Sequence, residues 1–62
     1  MINKYEQYVL AKWIKRWLKT YGEAPKLCEC IIWYKLKFED KELSASDKNS
    51  IAHILTYNSV EQ

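Results

Sequence analysis

From Lys4 to Tyr21 the apolar positions recur with the period of a helix. At about 100° per residue, Val9, Leu10, Trp13, Ile14, Trp17, Leu18 and Tyr21 fall on one side. Lys12, Lys15, Arg16 and Lys19 fall on the other at i, i+3, i+4 and i+7, with Lys4 and Tyr8 close by. The pattern predicts a first helix over about 3–21, with Trp13 and Trp17 in the core. A helix needs only its apolar stripe to fold. Four cations on one stripe with no acid among them repel one another slightly, so the stripe is a candidate binding face.

Tyr21-Gly22-Glu23-Ala24-Pro25 contains the only glycine and the only proline of the chain. Gly22 suits the left-handed position just after a helix, and Pro25 suits the first turn of the next. In the following segment Leu27, Cys30, Ile31, Tyr34 and Phe38 form a helical stripe. The opposite side collects Lys26, Glu29, Trp33, Lys37, Asp40 and Lys41. Ile32, Tyr34, Leu36 and Phe38 also alternate with Trp33, Lys35 and Lys37, and β-branched and aromatic residues favour strands. A lone strand needs a partner, which a chain this short offers only by dimerising. The reading adopted is a helix over about 26–42, ended by the acidic run Glu39-Asp40-Lys41-Glu42. Ser44 can then cap a third helix over about 45–58, with Asp47 three residues later at its positive end. Ile51, Ile54 and Leu55 point inward; Ser46, Asn49, Ser50, His53 and Tyr57 point outward. The tail from Ser59 is expected to fray. The expected fold is therefore all-α, one small three-helix domain spanning 1–62 and helix-turn-helix-like. The alternative is α-β-α, with the strand pairing in a dimer.

Sixty-two residues bury only about 60% of their unfolded surface, so the core is small. Three Trp, five Tyr and one Phe carry more aromatic surface than such a core hides, which points to a partner or a second copy of the chain. The net charge of +2 is unevenly placed. Residues 1–21 hold five cations and one anion, and the remainder five cations and seven anions. Such placement favours a polyanion or an acidic protein patch. Cys28 and Cys30 are two apart, a poor spacing for a disulfide. With no signal segment and no long apolar run, the reading is a cytoplasmic protein with free thiols and no membrane partner.

Ile14, Leu18, Tyr21, Gly22 and Pro25, followed by Leu27, Glu29 and Cys30, resemble the opening of LexA-type winged-helix DNA-binding domains. Ser46-Asp47-Lys48-Asn49-Ser50-Ile51 looks like the start of a recognition helix. The resemblance covers about 25 residues in two pieces, and too little chain follows Tyr57 for a wing. It implies DNA binding; the outward residues of the third helix are then the candidates, with Asn49 on an adenine edge, Ser46, Ser50 or His53 reaching bases or phosphates, and Lys48 on a phosphate. The basic stripe of Lys12, Lys15, Arg16 and Lys19 would follow the backbone.

Cys28, Cys30 and His53 fall short of a structural zinc set, so no metal is expected. No catalytic constellation stands out: there is one His and no Gly-rich phosphate loop, so no enzyme activity and no cofactor are expected. Trp33 has two readings, an exposed binding hot spot or a core residue. The function expected is a small non-enzymatic DNA-binding regulator of helix-turn-helix type. The alternative is a small inhibitor or adaptor that occludes a larger protein.

Overall fold

The computed structural model describes residues 2–38 and 42–59 and contains α1 (Lys4–Tyr21), α2 (Leu27–Lys37) and α3 (Ala45–Asn58). Among the described residues there is no strand, so the all-α reading holds and the α-β-α alternative does not. The acidic residues 39–41 and the tail residues 60–62 lie outside the described residues.

Each helix starts and stops for a local reason. Asn3 caps α1: its Oδ1 accepts from the Glu6 amide at 2.8 Å, and Glu6 Oε1 accepts from the Asn3 amide at 3.2 Å. The same reciprocal box opens α3, where Ser44 Oγ accepts from the Asp47 amide at 3.1 Å and Asp47 Oδ2 accepts from the Ser44 amide at 3.3 Å. Each box satisfies amides that a helix start would otherwise leave unpaired. Gly22 ends α1 at φ 76°, with its amide donating to the Leu18 carbonyl at 2.8 Å. Pro25 is buried but stands before the N-cap Lys26, not in the first turn of α2 as expected. The second helix stops at Lys37, several residues short of the expected 42, and Phe38 follows it at φ −110°, ψ 34°. Residues 38–44 then lead to α3, a longer connection than the three or four residues of a tight helix-turn-helix turn.

The core sits where α3 lies against both other helices. Ile2, Leu10, Ile14, Cys30, Tyr34 and Ile51 are buried, the last five of them fully. Their rows follow the i, i+4 ridges of the helices: Glu6–Leu10–Ile14 on α1 and Cys30–Tyr34 on α2. Trp13 and Trp17 were expected in this core, and they are only half-buried. They lie one ridge over from Leu10 and Ile14, in the row Trp13–Trp17–Tyr21, and Tyr21 is 63% exposed. Indoles are large, and a core of this size closes around smaller side chains. Leu27, placed on the inner stripe by its spacing, is 38% exposed for the same reason of position, at the very start of α2.

The aromatic row is a second layer of packing. Trp13 stacks on Trp33 of α2 with centroids 4.8 Å apart and planes 14° apart. Contacts continue from Trp13 to Trp17 at 5.3 Å and from Trp17 to Tyr21 at 4.6 Å. On the other side they run from Trp33 to Phe38 at 6.3 Å and from Phe38 to Tyr34 at 4.7 Å. Six rings thus join solvent-exposed Tyr21 to buried Tyr34 and tie α2 to α1. Of the two readings of Trp33, the structure gives a partly buried packing residue that also lines a surface groove.

Candidate functional site

The stripe that folds α1 also sets its outer face. With Glu6, Leu10 and Ile14 inward, Lys12, Lys15, Arg16 and Lys19 are all exposed. Lys12 Nζ stands 5.6 Å from the centroid of Tyr8, a cation–π contact on the outer surface. Lys19 lies in the last turn of α1, where a cation also complements the helix dipole.

Two grooves flank this ridge. On the α2 side a groove of about 470 Å³ is lined by Val9, Lys12, Trp13, Arg16, Trp33 and Lys37. The groove thus sets two indoles beside three cations, with no acid among its lining residues. On the α3 side a groove of about 690 Å³ is lined by residues that include Lys4, Tyr8, Lys15, His53 and Tyr57. A smaller depression beyond it holds Asn49, His53 and Thr56.

The structure therefore divides the expected site residues. Lys12, Arg16 and Trp33 share one groove; Lys15 and His53 share the other. Asn49 adjoins His53. Lys48 is exposed on α3 outside these grooves. Ser50 is half-buried, and its hydroxyl donates to the Ser46 carbonyl at 3.1 Å, so it is engaged within its own helix. Lys37 joins the groove of Lys12 and Arg16 although its periodicity places it only on the polar side of α2. Its signal was the i, i+4 spacing from Trp33, but only the tertiary fold carries it to Lys12 and Arg16.

The polar interior is concerned with helix ends. Glu6 and Asp47 are buried, each held by its own capping amide. The Ser44 amide holds the Asp47 carboxyl below its ordinary value. Burial, then the Glu6 hydrogen bond and the charges of Glu6 and Asp47, push the Tyr34 phenol well above its usual range. Cys28 is exposed and Cys30 buried, both as free thiols. Burial, with Glu29 and Cys28 adding to it, pushes the Cys30 thiol up to about 11.

Among the described residues no three His, Cys, Asp or Glu side chains gather as a metal-ion group, and no helix is long and apolar enough to cross a membrane. No protein-family profile, no curated protein and no solved structure matches the chain.

Proposed function

We propose that this protein is a small DNA-binding regulator whose phosphate-contacting surface is the outer face of α1. The observation that carries the reading is that Lys12, Lys15, Arg16 and Lys19 are all exposed on one helix face that has no acid on it. Cations so arranged supply salt-dependent affinity for a phosphate backbone, because each contact releases condensed counterions. The LexA-type resemblance of helix-turn-helix kind supports DNA binding in this reading without assigning the helix that docks, and a cytoplasmic location suited to two free thiols goes with it.

A mobility-shift assay with random duplex DNA at low and moderate salt tests it. The parent chain should shift the duplex at low salt and release it as salt rises. Lys12→Glu combined with Arg16→Glu should abolish the shift while leaving helix content intact, since both side chains point away from the core. Equal binding by parent and double variant would reduce the stripe to a solubilising face.

A second reading, a protein-binding inhibitor or adaptor, has its own support. Ile32 is 58% and Leu36 73% exposed, one turn apart on the outer side of α2. On that reading no DNA shift occurs even at low salt. The cations then steer association, and loss of the exposed Leu36 speeds dissociation of the protein partner.

A further inference from the structure

We propose that α1 itself lies in the major groove of duplex DNA, with cations on both of its flanks reaching the two strands, and that α3 stays off the bases. This rests on the DNA-binding reading above and assigns the helix that docks.

The first argument is geometric. An α-helix with its side chains is about 10–12 Å across, and the major groove of B-DNA is about 12 Å wide. A helix seated there has a phosphate strand on each side, so it needs cations on both flanks. The fold supplies them. On the α2 flank Lys37 joins Lys12 and Arg16 around one groove. On the α3 flank Lys4 and Lys15 line the other, beside His53. Among the described residues no ion pair neutralises Lys4, Lys12, Lys15, Arg16 or Lys37. A single strand would use only one of these rows. The two-sided arrangement is complementary to a duplex.

The second argument concerns α3. A recognition helix of helix-turn-helix type presents its N-terminal residues to the bases. In this chain that end is occupied. Ser44 and Asp47 form a capping box there, which uses the Ser44 and Asp47 amides and puts the Asp47 carboxylate at the helix start. Glu42 is exposed just before it. Lys48 is the only Lys or Arg of α3, which also carries one anion, Asp47. Ser50 is turned to its own backbone. By charge α3 has no preference for phosphate, whereas α1 carries the cations.

The experiment is a salt titration of binding to a random duplex, and to one of its strands alone, between about 50 and about 200 mM salt. Lys37→Ala and Lys15→Ala test the two flanks, and Lys48→Ala and Asn49→Ala test α3. Lys26→Ala, an exposed cation at the α2 N-cap, is the control. All five positions are exposed, so circular dichroism should confirm an unchanged fold. The expected result is duplex binding stronger than single-strand binding. Each flank variant should flatten the log–log salt slope by about 0.9, the value of one phosphate contact. Lys48→Ala, Asn49→Ala and Lys26→Ala should leave the slope as it is. Loss of affinity in Lys48→Ala or Asn49→Ala with no effect of Lys37→Ala would overturn the assignment while leaving DNA binding in place. Equal affinity for duplex and single strand would overturn it too, by removing the need for two flanks. No shift with either nucleic acid, alongside binding to poly-glutamate, would show that the DNA-binding reading itself had failed.

Discussion

Trp33→Ala removes the ring that joins α2 to α1. A Trp buries roughly 150–250 Å² when enclosed, and Trp33 is half-buried, so about 100 Å² is at stake. At about 25 cal/mol per Å² that burial is worth about 2.5 kcal/mol. The stack on Trp13 at 4.8 Å adds about 1 kcal/mol beyond area. The expected loss is therefore about 3–4 kcal/mol. A domain of 62 residues holds roughly 3–9 kcal/mol in all, so the variant should sit near the edge of unfolding. Urea titration of parent and variant measures the difference through the transition midpoint and slope. Ile32→Ala is the comparison, because Ile32 is an apolar α2 residue one position away that is 58% exposed. It should cost under about 0.5 kcal/mol, as surface substitutions usually do. If Trp33→Ala lost no more than Ile32→Ala, the aromatic layer would not be what holds α2 in place.

Four further outcomes follow from the caps and the buried groups. Asn3→Ala and Ser44→Ala should each lower stability by about 1 kcal/mol in the same urea assay. Gly22→Ala should cost about 1–2 kcal/mol. Nothing lies within 4 Å of the added carbon, so the whole penalty comes from φ 76° and should be smaller for Gly22→Asn. A thiol reagent applied to the native chain should label Cys28 quickly, and Cys30 only after denaturation. Cys30 has its native thiol raised from 9.0 to about 11, so its contribution is complete below pH 9 and is lost as pH rises through about 11. Tyr34 acts in the same direction from its ordinary 10.0, so Tyr34→Phe should move the alkaline unfolding midpoint upward.

Much of the fold can be read along the chain. The turn at Gly22, the Ser44–Asp47 box and the span of the third helix are local events, and local signals fix them. Asn3 and Glu6 carry the same box signature, which is as local as the one that opens α3. Periodicity reports the face of a helix and not the depth to which each residue sinks. That is why Trp13 and Trp17 were placed in a core that is filled by Leu10, Ile14, Cys30, Tyr34 and Ile51. It also misses Ile2, which precedes the first helix and lies outside any period, yet is only 4% exposed. The candidate site was half legible. The α1 cations were visible as a stripe, whereas the convergence of Lys37 on Lys12 and Arg16 exists only once α2 packs beside α1.

The ring chain from Tyr21 to Tyr34 makes the chain's ultraviolet spectrum a report on its architecture. Trp13 lies within 5.3 Å of both other indoles, close enough for the electronic transitions of each pair to couple. Coupling of this kind adds a signed pair of dichroic bands over the helix signal. The share of it that comes from Trp13 and Trp33 is lost when α2 leaves α1, even where every helical hydrogen bond survives, while the Trp13–Trp17 pair stays within α1. Detachment of α2 and melting of its helix would then be separate optical events, told apart by wavelength in a single unlabelled sample.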